Sequence, residues 1–417
     1  MNTAHTSPAG SGPAGGASAD GSQAQPRVLL LCDRLDIAGG VERFVCTLAN
    51  HFAEAGMHVA VGSVNTLRAD IRYPLHANVR VLHGPHGPHT VPEGETAWAL
   101  LRKQWCTGRA LARLMRAEQA DVVVLNGLTT ACSVLAVAVA VAPGSAARCI
   151  CCDHNHFDAR SRLWRALRGR LYRRVAAVVS LSAADAPRFR AINPRTEVIY
   201  NASNLRADAP AEPPATVAPL VLAVGRHVAQ KGFDLLLHAW VAVQAQMPAA
   251  RLRIVGEGPL RNLLQRLSQD LGVAGSVQWL PPTPQVQSHF RAAQIFVLPS
   301  RYEGMPLALL EAQALGVPAV AFDCPTGPAE VLSAETGVLV PAGDTAALSA
   351  ALLKLLADAP LRQRMAHAAI QRSAQCFSPQ QHLQRWTDLV RRVAASGVKP
   401  PGSALGSALH SARGPVS

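Results

Sequence analysis

The pattern that most constrains this chain is a repeated one, in which a short apolar run is followed by a segment long enough for a helix. It occurs in two series. The first places strands near residues 27–32, 58–64, 121–125, 148–152, 177–181 and 198–200, with a glycine turn leading into a helix near 41–55. The second places them near 220–224, 251–255, 276–280, 295–298 and 319–322, followed by helices over 344–395. Such alternation is the signature of parallel sheets covered by helices on both faces. The expected fold class is α/β, with two doubly wound parallel-sheet domains facing across a cleft.

Residues 206–218, rich in Ala and Pro and without periodicity, read as a linker between a first domain, 26–205, and a second, 219–378. A last helix, 379–396, is expected to return to the first domain. Residues 1–25 and 397–417, biased towards Ala, Gly, Ser and Pro, are expected to be disordered. Open α/β sheets take ligands beyond the carboxyl ends of their strands, so the chemistry belongs at the loops that leave those ends.

The formal charge of +13 comes from 40 basic and 27 acidic residues, and only Lys103, Lys231, Lys354 and Lys399 among the basic ones are lysine. An arginine-rich, positive surface attracts anionic partners without choosing among them. Nine cysteines at irregular places, with Cys149, Cys151 and Cys152 crowded together, suit a reducing compartment better than a disulfide framework. No apolar run approaches the roughly 18 residues that would span a membrane, and residues 1–25 lack the pattern of a signal peptide. The expected location is cytoplasmic.

The most informative segment runs from Pro299 to Glu311, PSRYEGMPLALLE, which follows a buried strand and opens a helix. Pro306 suits a first helical turn, and Gly304 allows a tight bend before it. The free N–H groups of that turn form a candidate phosphate site. With the helix starting at Pro306, Glu303 lies in the loop beside the phosphate site, and Glu311 lies inside the helix. One carboxylate would sit near a sugar and the other near a ribose; the alternative is an exposed loop residue and a surface charge. A second element, GRHVAQKGFD from Gly225 to Asp234, also joins a strand to a helix and brings Arg226 and Lys231 to the same edge. Two cations beside a helix terminus can hold a diphosphate and stabilise it as it leaves.

These segments, with RLRIVGEGPLRNLL, VQWLPPTPQ, FVLPSRYEGMPLALLEAQALGVPAVAF and TGVLVPAGD in this order, resemble the second domain of the family 4 glycosyltransferases. That family has the GT-B fold of two facing Rossmann-like domains. The resemblance implies that Arg226 and Lys231 bind the donor diphosphate, Glu303 the transferred sugar and Glu311 the ribose. Backbone groups of Gly304, Met305, Pro306 and Leu307 would bind phosphate. Gly256 and Gly258 would shape a loop at the donor site, with residues 278–282 facing the base. Gly39 and Gly40, in the segment Gly39-Gly40-Val41-Glu42-Arg43, resemble the first strand-to-helix turn of the family, which approaches phosphates and acceptor. His154, after the strand near 148–152, matches a histidine close to the anomeric centre.

The function so implied is retaining transfer of a sugar from a nucleotide diphosphate donor, with a UDP-hexose or UDP-N-acetylhexosamine as the expected donor. The acceptor would be a saccharide or lipid-linked molecule in cell-surface polysaccharide or glycolipid synthesis. The nucleotide-sugar is a substrate, so no cofactor is expected. No Asp-x-Asp motif occurs, and no metal is expected either. The segment from Asp323 to Glu330 resembles members that handle N-acetylhexosamine or galactose types. His154, His156 and Asp158 imitate a metal-ligand run beside Cys151 and Cys152, and a zinc site is the alternative there.

Between residues 160 and 174 lie Arg160, Arg162, Arg165, Arg168, Arg170, Arg173 and Arg174 with no acid among them, while Leu163, Trp164, Leu167 and Leu171 share a helical face. This is a basic amphipathic helix, either an ordinary sheet-covering element or a dock on an anionic membrane where a lipid-linked acceptor waits. In the second case the protein is peripheral on the inner face of the plasma membrane. Two rivals remain: a sugar-nucleotide epimerase of the same fold, and a non-catalytic basic protein binding membrane or nucleic acid. The aromatic platforms and zinc-finger spacing that favour nucleic acid are missing, and no nucleic-acid partner is expected.

Overall fold

The computed structural model describes residues 25–37, 39–64, 67–84, 97–210 and 218–396. The terminal segments 1–24 and 397–417, and most of the linker, 211–217, lie outside the described residues. The first sheet has seven strands: β1 Arg27–Leu31, β2 His58–Val64, β3 Arg80–Gly84, β4 Val122–Asn126, β5 Cys149–Cys152, β6 Ala177–Ser180 and β7 Thr196–Val198. The second has six: β8 Leu220–Val224, β9 Arg251–Val255, β10 Val277–Leu280, β11 Ile295–Leu298, β12 Ala319–Asp323 and β13 Gly337–Pro341. Their orders are β3-β2-β1-β4-β5-β6-β7 and β10-β9-β8-β11-β12-β13. Both are parallel sheets, as the register of β1 with β2 and β4, and of β8 with β9 and β11, illustrates.

In each sheet the strand order reverses beside the first strand, between β1 and β4 and between β8 and β11. Adjacent loops there run to opposite faces and leave a crevice. The first crevice is flanked by the turn before the helix Gly40–Glu54 and by Asn126 at the end of β4; the second is flanked by residues 225–232 and 299–306. The residues singled out from sequence thus occupy the places that the topology reserves for ligands.

Strand alternation divides the core. Leu29 and Leu31 of β1 face a cluster with Leu111, Val123 and Leu135, whereas Val28 and Leu30 face one that continues through Phe44, Leu298, Met305, Leu309 and Trp386. That second cluster joins the domains. A third, around Trp240, Leu236 and Leu352, covers the outer side of the second sheet. The last helix, Pro379–Ala395, is capped by Ser378, whose Oγ accepts from the Gln381 N–H. It lies against the first domain: His382 Nδ1 meets the Tyr200 carbonyl at 2.6 Å, and Arg392 pairs with Glu197 at 2.6 Å.

Candidate active site

The edge of the second domain is laced together by side-chain contacts. Lys231 Nζ lies 2.6 Å from Glu303 Oε1, and Ser300 Oγ donates to the same oxygen at 2.6 Å. The Glu303 carbonyl accepts from Thr326 Oγ1 at 2.6 Å. Outside this pair, Arg301 bridges to Asp234 at 2.6 Å and donates to the Ala229 carbonyl, while Gln230 donates to the Tyr302 carbonyl. The loops after β8 and β11 therefore form one block. Glu303 is 5% exposed and Glu311 3%, so the alternative of an exposed loop residue and a surface charge is excluded. A buried carboxylate this well partnered keeps its place.

The following helix, Leu307–Ala314, is N-capped by Pro306 and has no side-chain cap. It begins one residue later than the sequence suggested, because Pro306 adopts an extended conformation. The early amides, uncapped by any side chain, carry the partial positive charge of the helix end beside Lys231. Arg226 projects from the neighbouring loop, exposed. Across the crevice, Gly256 and Gly258 bring the loop after β9 against residues 225–227: the His227 N–H donates to the Glu257 carbonyl at 2.7 Å. Gly256 has φ +151°, and a Cβ there would run into the Gly225 carbonyl. Only glycine lets these two loops touch.

The first domain closes directly over this edge. A Cβ on Gly304 would lie 2.8 Å from the His154 carbonyl oxygen and 3.0 Å from the Asn155 Cα. A Cβ on Gly40 would be 3.4 Å from Leu307, the first residue of the donor-side helix. Asn201 donates to the Met305 carbonyl at 3.3 Å, and Arg43 forms an ion pair with Glu311. Glu330 of the second domain accepts from Ser182 Oγ at 2.5 Å, the Ala183 N–H at 2.7 Å and the Ala184 N–H at 3.3 Å. His154, Gly39, Gly40, Glu303, Glu311 and residues 304–307 are thus gathered at one interface.

His154 Nε2 lies 3.0 Å from Asn126 Oδ1, and Asn126 Nδ2 donates to the Leu31 carbonyl at 3.2 Å. With Asn126 so oriented, Oδ1 accepts, so Nε2 carries the proton and Nδ1 presents a lone pair. Burial lowers the His154 pKa to about 4, and the ring is neutral at physiological pH. Burial also raises the Glu42 carboxyl, opposed by the charges of Arg226 and Arg34. Asn126, Ser300, Thr326 and Glu330 are site residues that sequence reasoning did not single out. Asn126 and Ser300 carry a faint signal, as polar residues ending apolar strands.

The histidine run does not converge. Asp158 is held between Arg165 and Arg188, and His156 packs edge-on against the Tyr302 ring at 5.2 Å. Among the described residues, no three His, Cys, Asp or Glu side chains are grouped to hold a metal. The basic helix needs correction too. It spans Arg162–Leu171, and Arg168 is 1% exposed, paired with Asp153 at 3.1 Å beneath the Phe157 ring. Arg165 pairs with Asp158. Neither is free to meet a membrane, and Leu163, expected inward, is 64% exposed.

Two doubly wound domains, with their switch points opposed across a charged, glycine-lined seam, define the GT-B class of nucleotide-sugar enzymes. Residues 207–372 match the model for glycosyl transferases group 1, and residues 38–207 the model for glycosyltransferase family 4. The chain belongs to this glycosyltransferase family. The amylovoran biosynthesis glycosyltransferase AmsD of Erwinia amylovora is 27% identical over 374 residues, which cover 87% of this chain and 99% of that protein. A GDP-mannose-dependent phosphatidylinositol monomannoside mannosyltransferase of Mycolicibacterium smegmatis is 37% identical over 149 residues, 34% of this chain and 39% of its own length. Among solved structures, a sucrose-phosphate synthase of Thermosynechococcus elongatus superposes with a TM-score of 0.76 at 21% identity, over 89% of this chain and 100% of that one. HepE of Anabaena in complex with UDP-glucose gives 0.69 at 18% identity, over 88% and 100%. These likenesses establish the fold. Among the described residues, no helix is long and apolar enough to cross a membrane.

Proposed function

We propose that this glycosyltransferase moves a hexose or N-acetylhexosamine from a UDP-sugar to a saccharide or lipid-linked acceptor, with retention at the anomeric carbon, in cell-surface polysaccharide or glycolipid synthesis. The observation that carries the reading is the block of Lys231, Glu303 and the uncapped helix start at Leu307, closed over by His154. The diphosphate lies along Arg226, Lys231 and the amides of residues 304–307, where charge on the leaving group is met by groups already in place. Glu303 accepts from the hydroxyls of the transferred sugar, and Glu311 from the ribose. The acceptor hydroxyl attacks from the face that the diphosphate leaves, through an oxocarbenium-like state. His154, neutral, orients the sugar or polarises a hydroxyl through Nδ1.

Because cations and helix amides supply the countercharge, transfer needs no metal on this reading, and a chelator should leave turnover unchanged. AmsD, named for amylovoran biosynthesis, and the UDP-glucose complex of HepE support the polymer and the base. The location proposed is cytoplasmic and peripheral on the inner membrane face, through Arg160, Arg162, Arg170, Arg173 and Arg174 around exposed Leu163. The test is a screen of UDP- and GDP-sugars against lipid-linked and saccharide acceptors, with products identified by mass spectrometry and the anomer by NMR. An inverted product removes retention, and sugar conversion without an acceptor replaces transfer with epimerisation.

A further inference from the structure

The ion pair between Arg43 and Glu311 joins residues 268 positions apart, from opposite domains, and both ends are fixed by helix starts. Arg43 sits in the first turn of the helix Gly40–Glu54, its N–H bonded to the Gly39 carbonyl at 3.1 Å. Glu311 sits just past the first turn of the helix Leu307–Ala314. Those helix starts touch through Gly40 and Leu307, so each side chain reaches its partner from about one turn further in. The Glu311 side chain is 4% exposed, whereas that of Arg43 is 30% exposed. A carboxylate withdrawn from water needs a partner for its oxygens, and the guanidinium that supplies it belongs to the other domain.

We infer that Arg43 is a positioning residue that holds the Glu311 carboxylate ready for the ribose from across the cleft, so that the nucleotide is gripped fully only when the domains are closed. This rests on the reading of Glu311 as the ribose ligand given above. The contact is made to Oε1, and a carboxylate offers about four lone-pair sites, so the pair leaves room for hydroxyl donors. Because the partners lie on different domains, closure raises ribose affinity, and ribose binding favours closure to the same extent.

The experiment titrates the full-length protein calorimetrically with UDP and with 2′-deoxy-UDP, repeated with the guanine pair if the donor screen selects GDP. Wild type should prefer the ribonucleotide. Arg43→Met should weaken ribonucleotide binding about tenfold, leave the deoxynucleotide less affected, and so shrink the preference. Donor KM should rise with kcat largely kept, and Arg43→Lys should recover part of the loss. Arg43→Gln, which keeps a donor but not the charge, serves as the second variant if Arg43→Met folds poorly, and it should show the same reduced preference. An unchanged preference in Arg43→Met, or a loss confined to kcat, overturns the inference while the transferase reading stands. Failure of wild type to bind either nucleotide removes that reading and this inference together.

Discussion

The two edges of the cleft differ in how they carry charge. The second domain presents charges in fixed pairs, Lys231 with Glu303 and Arg301 with Asp234, on loops tied to each other. Apart from Arg43, whose guanidinium pairs with Glu311, the first presents neutral His154 held by Asn126, the Gly39-Gly40 turn, and Glu42, whose carboxyl is pushed up by burial. A leaving diphosphate develops charge, and a sugar hydroxyl must be aimed. On the proposed function, the first task falls to the second domain and the second task to the first.

That division is tested most severely where the charges lie. Lys231→Ala and Glu303→Ala are each expected to lower kcat by ~10²–10³-fold, the usual cost of losing one group that meets transition-state charge. His154→Ala should cost roughly tenfold, as the loss of an aligning group in a preassembled site. Steady-state donor turnover, with melting curves to exclude unfolding, decides it. Equal losses in all three would mean that both edges share the electrostatic task.

Sequence reasoning reached this comparison unevenly. Strands buried on both faces stood out, since nothing polar interrupts them; β8 and β11 fall where their apolar runs lie. The edge strand β3 Arg80–Gly84 escaped because a strand with one neighbour need not be apolar throughout, whereas β13 Gly337–Pro341, GVLVP, is apolar but its run of three residues between Gly and Pro is short. The turn from Gly304 into a helix was legible from local chemistry. The burial of Glu303 was not, because it depends on Lys231, 72 residues away in sequence. Arg168 shows the limit clearly: in a run of arginines nothing local separates it from Arg165 or Arg170, and only Asp153 on the neighbouring strand end makes it a core residue.

The seam itself offers the next perturbations. Gly304→Ala would place its methyl 2.8 Å from the His154 carbonyl. The expected result is about a tenfold fall in kcat/KM through misplaced reacting groups. Because the clash is with backbone, His154→Ala should not rescue it; rescue would show that the side chain, not closure, is at fault. Glu330→Ala strips three donors on residues 182–184 of their shared acceptor. Donor KM should rise about fivefold, with a larger radius of gyration in solution scattering, because the domains part more readily. An unchanged radius would show that the apolar core shared by both domains holds them without this carboxylate.

The smallest expected effect concerns stability. Burial lowers His154, His227 and His382 to about 4, from an ordinary value near 6.5. Between those values the unfolded chain binds more protons than the folded one, so stability is complete above about pH 6.5 and falls as pH drops towards 4. His227 isolates the effect, since it is wholly buried and neither ring nitrogen has a hydrogen-bond partner among the described residues. It lies edge-on to Phe233 and Trp279, each 5.6 Å away. His227→Phe should therefore stabilise the protein by ~1 kcal/mol at pH 8, by removing unsatisfied polar atoms. The gain should be larger at pH 5, where wild type also resists protonation at this site. Urea midpoints at the two pH values test it: equal gains would clear His227 of the acid sensitivity, and a loss at both would mean that its nitrogens are hydrated in solution.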